Sequence, residues 1–190
     1  MRALCTFITL ISLLAGVAKP QNTPQVFEPF TYTADSIIRI NNRVYDLRVP
    51  EQVALAMYDV ISGPMGARDT FALRRLFWWE ASLQYIYRGG KSAPRAIRWT
   101  ADQYIPIVAK MGKQSEFYEK QIWAKTLEFR NQAVVWSAFE IRTKSQEGPA
   151  ERTGINAFNL IFDKGRWHIT HLQWDSNDPS DTTPIPPPAN

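Results

Sequence analysis

Four long runs in the second half of the chain alternate apolar and polar residues, and this pattern limits the fold more than any other feature. The runs span about 119–129, 133–143, 152–162 and 167–175. Successive side chains of a strand point to opposite faces, so runs of this kind read as strands with one face buried. Asn131-Gln132 reads as one hairpin turn and Lys164-Gly165 as another, with glycine where a positive φ is wanted. The segment 144–151, with Gly148-Pro149, reads as a longer loop. Consecutive strands linked this way form an antiparallel meander.

The first half mixes helices with one more strand. Pro50 opens a helix, because its missing N–H costs nothing at the first position. Val53, Met57 and Val60, with Ala54, Tyr58 and Ile61, follow helical spacing, and Gly63-Pro64 ends the run. Asp69 is a natural N-cap for a short helix over 70–77. A third helix starts at Thr100, with Gln103 completing a capping box and Tyr104, Ile107, Val108 and Met111 as its apolar stripe. Pro106 lies inside that helix and is expected to kink or delay it. Between the helices, Trp79, Ala81, Leu83, Tyr85 and Tyr87 alternate with Glu80, Ser82 and Gln84 as a strand. Two short extended pieces, 37–40 and 44–49, precede everything else. Helices massed on one side of a curved, mainly antiparallel sheet make an α+β fold. The expected organisation is a leader over 1–18, a lead-in segment over 19–49, one domain over 50–176 and a proline-rich tail over 177–190.

The leader has the parts of a secretory signal peptide: Arg2, an uncharged apolar run from Ala3 to Ala18, and the small residues Gly16-Val17-Ala18 before Lys19-Pro20. The run is shorter than the ~20 residues that span a bilayer. Cleavage would remove Cys5, the one cysteine, and leave a mature chain without disulfides, thiolate chemistry or cysteine metal sites. The expected location is secreted or periplasmic, with no membrane attachment after cleavage. Pro184-Ile185-Pro186-Pro187-Pro188 favours extended polyproline II conformation. The net charge is +4, and its densest spots, Arg74-Arg75 and Arg95 to Arg98, fall short of the basic run expected of a nucleic-acid patch. No nucleic-acid partner is expected.

Several motifs, in order, resemble an exported bacterial branch of the SnoaL-like, or nuclear transport factor 2-like (NTF2-like), superfamily. Tyr58-Asp59-Val60-Ile61-Ser62-Gly63-Pro64 followed by Arg68-Asp69 is similar to its first helix and turn, and Phe117-Tyr118-Glu119 to its aromatic-Glu strand opening. Phe139-Glu140-Ile141-Arg142 is similar to its Tyr-Glu-x-Arg strand. Gly154-Ile155-Asn156, with Phe158 and Leu160, is similar to its Gly-Ile-Asn strand. Arg166-Trp167 through Trp174, then Pro184-Ile185-Pro186, is similar to its last strand and exit. The similarity covers about 50–186. It implies a cone-shaped half-barrel, a pocket at its wide end and frequent homodimerisation through the outer sheet face. It does not imply one activity, because the superfamily holds ketosteroid isomerase, scytalone dehydratase, polyketide cyclases and members that only bind or assemble. Two positions depart from the branch: Thr153 stands where an arginine usually precedes Gly154, and His168 where tryptophan is usual.

Strand geometry then selects candidates. With Lys164-Gly165 as a two-residue turn, Phe162 faces Trp167, Leu160 faces Ile169, Phe158 faces His171 and Asn156 faces Gln173, all on one face. That face is apolar at one end and polar at the other, as a small-molecule pocket requires. Asn156, Phe158, Trp167 and Gln173 are therefore expected to line a pocket, with His171 as general base or hydrogen-bond anchor; the other reading of His171 is a histidine satisfied by a neighbour. His168 and His171 point oppositely, about 10 Å apart, unless a bulge intervenes. No metal site is expected, and no cofactor. With Asn131-Gln132 as the turn, Trp123 faces Glu140 and Gln121 faces Arg142. Glu140 is either an acid–base group with a raised pKa or half of a Glu140–Arg142 pair that holds strands together. Tyr58 shares the stripe of Ala54 and Ile61 and is the helix residue expected to point inward; the resemblance implies a role for it as a hydrogen-bond donor, since some enzymes of that fold place a tyrosine donor on this helix. Three functions fit: a module that binds a small hydrophobic molecule, a cofactor-free lyase or isomerase using His171, Tyr58 or Glu140, and a structural dimerisation domain.

Overall fold

The structure is a computed structural model that describes residues 36–88, 93–177, 181 and 183–186. The leader over 1–18, most of the lead-in segment and much of the proline-rich tail lie outside the described residues.

A hairpin of β1 (Ile37–Ile40) and β2 (Arg43–Asp46) comes first, turning on Asn41 and Asn42, both at positive φ. Then follow α1 (Pro50–Ile61), α2 (Thr70–Leu76), β3 (Phe77–Tyr87), β4 (Arg95–Thr100), α3 (Ala101–Gln114), β5 (Tyr118–Phe129), β6 (Gln132–Arg142), β7 (Arg152–Asp163) and β8 (Arg166–Ser176). The six-stranded sheet runs β4-β3-β8-β7-β6-β5, antiparallel throughout except where β3 meets β8. The helices pack on one face, which leaves an open α+β cone. Its core joins Val53, Met57 and Val60 of α1 and Leu73 and Leu76 of α2 to Phe77, Leu83, Val135, Phe139, Phe158 and Ile169 of the sheet.

Local sequence explains most of the boundaries. Pro50 stands at the start of α1, and Asp69 caps α2 by accepting from the Ala72 amide. Thr100 and Gln103 form a full capping box on α3. That helix begins at Ala101, so Pro106 does not delay it; the bond it forfeits is to the carbonyl of Asp102, on the exposed side. After α1, Ser62 is extended and Gly63 takes φ +146°, a conformation glycine supplies without Cβ strain. Arg68 holds this turn by donating to the carbonyls of Ile61, Gly63 and Pro64.

Four expectations are corrected. The second helix stops at Leu76, and Phe77 already opens β3. Residues 95–100 form a strand, β4, where no element was expected; Trp99 and Ile97 pair there with Leu83 and Tyr85, and Arg95 and Arg98 are exposed. The short extended piece at 44–49 is the strand β2, which ends at Asp46. The β5–β6 turn is Arg130–Asn131, with Phe129 opposite Gln132. Arg130 takes φ +54° there without being glycine, which is why composition alone misplaced the turn by one residue.

Candidate functional site

Two main-chain staples bring the end of α1 onto the start of β5. The Ser62 hydroxyl accepts from the Glu119 amide at 2.9 Å and donates to the Glu119 carbonyl at 3.2 Å, and Gly63 exchanges backbone bonds with Phe117. One turn back along α1, Tyr58 thereby reaches the concave face beside the Glu119 side chain. Ser137 of β6 and Asn156 of β7 stand opposite each other in register on that same face. The four side chains form one chain of hydrogen bonds. Asn156 Nδ2 donates to Glu119 Oε1 at 2.8 Å and to the Tyr58 hydroxyl at 3.0 Å, and Tyr58 and Ser137 share a bond of 2.7 Å.

Apolar and aromatic groups surround this chain. Met57, Ile61, Leu172, Tyr104 and Trp174 complete the wall of a cavity of about 20 Å³, room for about one water molecule. Trp174 stacks between Tyr85 and Trp99, with centroids 5.6 and 6.0 Å away, and meets Tyr104 edge-on at 6.1 Å. Tyr58 and Glu119 also line a larger outer cleft of about 510 Å³, with Val44, Tyr45 and Leu55 among its walls. Those two side chains therefore stand between the cavity and the cleft. On the cleft side the Tyr45 hydroxyl donates to Asp59 at 2.5 Å, and Arg43 pairs with Asp59 at 3.6 Å.

Burial sets the electrostatics. Loss of water raises the Glu119 carboxyl from 4.5 to about 7, against the weaker opposing effect of the Asn156 hydrogen bond. Burial also raises the Tyr58 and Tyr104 hydroxyls, and the neighbouring Glu119 charge adds to both shifts. Tyr45 rises to about 12, through burial and its bond to Asp59. At neutral pH the site thus holds an acid near its midpoint between neutral hydroxyl donors. Such a group can accept or deliver a proton, or hold a polar ligand, without further activation.

The structure brings together only some of the residues selected from the sequence. Tyr58 and Asn156 meet in the site. Phe158 is fully buried beneath it, edge-on to the Tyr58 ring at 5.9 Å. Trp167 is core as well: its indole donates to the Arg48 carbonyl and its ring packs on Phe162. His171 and Gln173 are not on this face. Leu160 pairs with Ile169, but Asn159 pairs with His171, so Thr170 is an extra residue. Its hydroxyl bonds the Asn159 carbonyl at 3.0 Å. Beyond this bulge every side chain of β8 changes face. Leu172 and Trp174 take the concave positions opposite Phe158 and Asn156, while Gln173 is exposed. His171 moves to the outer face, the one that carries His168, and its Nδ1 bonds the Ser82 hydroxyl at 2.8 Å.

Glu140 and Arg142 also face outward. Glu140 is opposite Lys120 and Thr153, not Trp123, because the turn is shifted by one residue and a second bulge separates Gln121 from Trp123. The two residues bridge each other at 2.8 Å, and Arg142 Nε donates to the Gly148 carbonyl, which closes the 144–151 loop. Of the two departures, Thr153 lies on this outer face and His168 is buried against the Trp78 ring at 5.5 Å, its Nε2 donating to the Asp163 carbonyl. Burial lowers His168 to about 4. Among the described residues, no group of three or more His, Cys, Asp or Glu is placed to hold a metal ion.

Sequence reasoning passed over Glu119 as a site residue. The signal was present in the Phe117-Tyr118-Glu119 motif: in extended chain an acid two residues from a partly buried aromatic faces the same side as that aromatic.

No family model matches the chain, and no curated protein matches it in sequence. Solved structures do. A protein of unknown function with a cystatin-like fold from Nostoc punctiforme is 12% identical over 75% of this chain and 97% of its own, with a TM-score of 0.55. The likeness is one of fold. A conserved protein from Planctomyces limnophilus shows the same at 8% identity, over 68% of this chain and 94% of its own, with a TM-score of 0.55. An NTF-2 like protein of unknown function from Silicibacter pomeroyi is 12% identical over 67% of this chain and 92% of its own, with a TM-score of 0.47. The half-barrel cone implied by the motif resemblance is the architecture of this chain.

Proposed function

We propose that the chain is a binding domain for a small, largely hydrophobic molecule, with its site at Glu119 and the adjoining cleft, and that it works outside the cytoplasm as a homodimer. One observation carries the binding reading. An ionisable carboxyl is enclosed by tyrosine, tryptophan and aliphatic side chains with Asn156 as its hydrogen-bond partner, and it stands at the floor of a cleft. Burying such a group works against folding, and buried, perturbed acids in clefts mark functional sites. The test is recovery from the native host followed by mass spectrometry under native conditions. Wild-type protein is expected to retain a small molecule that Asn156→Leu loses; retention of the same molecule by that variant, or none by either, contradicts the reading.

The raised Glu119 carboxyl supports a second reading, a cofactor-free lyase or isomerase in which Glu119, not His171, moves the proton and Tyr58 stabilises the oxyanion. That reading expects Glu119-dependent exchange of an acidic C–H proton of a bound ketone into deuterated water.

The export component rests on the signal-like leader, and the dimer on the outer sheet face. Leu127, Phe129, Trp136 and Ile161 are exposed on neighbouring strands of that face. Apolar groups in such a row favour a covered surface. Light scattering is expected to give twice the chain mass, and Leu127→Glu with Trp136→Glu the mass of one chain. Equal masses for the two proteins count against the dimer.

A further inference from the structure

We infer that the molecule bound at this site carries a primary ammonium group, which sits in the inner cavity against Glu119 and the rings of Tyr104 and Trp174 while the rest of the ligand passes into the outer cleft. The inference deepens the binding reading and rests on it.

The charge pattern points to a cation. Among the described residues, Glu119 is the one charged side chain in the cavity wall, and no cationic side chain lines that cavity. The remaining polar groups are hydroxyls and the Asn156 amide. Around the carboxylate stand three aromatic rings, Tyr58, Tyr104 and Trp174, with the Met57 thioether. Aromatic faces attract cations through their quadrupole, and a nearby carboxylate adds a charge-assisted hydrogen bond. An anionic head group would be repelled by the ionised Glu119 carboxylate. A neutral hydroxyl would leave the ionised carboxyl without its counter-charge.

Size and position agree. The cavity of about 20 Å³ holds one water-sized group, as an ammonium is. The cleft of about 510 Å³ begins on the far side of Tyr58 and Glu119, and Val44, Tyr45 and Leu55 give it apolar walls for a ligand body. Of its own charges, Arg43 pairs with Asp59, whereas Lys120 lines the cleft and its register partner Glu140 is bridged to Arg142. Arg152 is in register with Ile141, which itself pairs with Glu119, but it is exposed at the strand end. Among the described residues, Glu119 has the Asn156 amide as its hydrogen-bond partner and no arginine or lysine in an ion pair with it.

The test compares benzylammonium, benzyl alcohol and benzoate at pH 8 against the purified chain, read by the tryptophan fluorescence that Trp174 contributes and by amide shifts of β5 and β7. Benzylammonium is expected to bind about tenfold or more tighter than either isostere, the discrimination that one charge-assisted hydrogen bond supplies. Glu119→Gln is expected to bring the three within about threefold, near the level of an ordinary polar contact. In the wild type the preference is expected to fall as the pH drops below about 7, where the carboxyl takes up its proton; this series stands alone if Glu119→Gln fails to fold. Benzyl alcohol or benzoate binding as tightly as benzylammonium overturns the ammonium inference and leaves the binding site standing. Preference that survives in Glu119→Gln, or that ignores pH, also overturns it. Absence of binding by all three overturns the inference together with the site.

Discussion

Replacing Glu119 with glutamine is expected to stabilise the protein at pH 8 and to leave it nearly unchanged at pH 4.5. Burial raises this carboxyl from 4.5 to about 7, so the folded chain holds its proton more tightly than the unfolded chain does. The sign follows from linkage. Below pH 4.5 both states are protonated and the group is neutral to folding; between 4.5 and about 7 the unfolded state ionises first; above about 7 the folded state also carries the buried charge, and the full penalty is present. At roughly 1.4 kcal/mol per pK unit the penalty reaches about 3 kcal/mol. His168 acts in the opposite direction in part of this window. Burial lowers it from 6.5 to about 4, so folding costs more as the pH falls from 6.5 toward 4. Its effect is common to both proteins, and the difference between wild type and Glu119→Gln isolates Glu119. Urea unfolding across pH 4.5 to 8 gives that difference directly. A difference that stays flat over the range means that Glu119 is not held in the folded state as described.

Gly154→Ala is expected to destabilise the fold by about 3 kcal/mol, at the upper end for overpacking a core. Gly154 lies in β7, between Phe139 of β6 and Ser176 of β8. A Cβ at this position would come well inside 3.0 Å of both the Phe139 ring tip and the Asp175 carbonyl oxygen. Neither can step aside easily, since Phe139 is 1% exposed and packed in the core, and the Asp175 oxygen is main chain within a strand. Phe139→Leu in the same chain removes one obstacle and leaves the other, so it should restore only part of the loss. Gly165→Ala provides the contrast. A Cβ there meets nothing within 4 Å, and the cost is the positive φ of +85° alone, about 1 kcal/mol. Urea midpoints for the three variants separate the two causes; equal losses at Gly154 and Gly165 would contradict the close packing of β6, β7 and β8.

The fold was legible because its signals are local. Alternation marked the long strands, Pro50, Asp69 and the Thr100–Gln103 box marked the helix starts, and Lys164-Gly165 marked the last turn, whose φ values of +49° and +85° match the turn chemistry. Motif resemblance supplied the cone. The site was less legible, because which face a side chain takes depends on register, and one residue reverses it. Thr170 carries no signal of a bulge, yet it moved His171 and Gln173 outward and put Leu172 and Trp174 in their place. Arg130 at positive φ shifted the β5–β6 turn, and with it the partners of Glu140 and Arg142. Tyr58 was found because a helical stripe fixes its direction, and Asn156 kept its face, though not its partner, because the extra residue lies on β8 while β7 alternates without interruption. Glu119 needed a tertiary fact, that Ser62 clamps the β5 main chain to the end of α1.

Most directly at issue is whether the half-buried carboxyl set among Tyr58, Tyr104 and Trp174 titrates near neutrality. Selective ¹³C labelling of glutamate and a pH titration of the Glu119 Cδ signal, assigned by its loss in Glu119→Gln, measures this. A midpoint close to 7 is the expected result; a midpoint at the ordinary 4.5 would show a hydrated side chain and remove the basis for a site there.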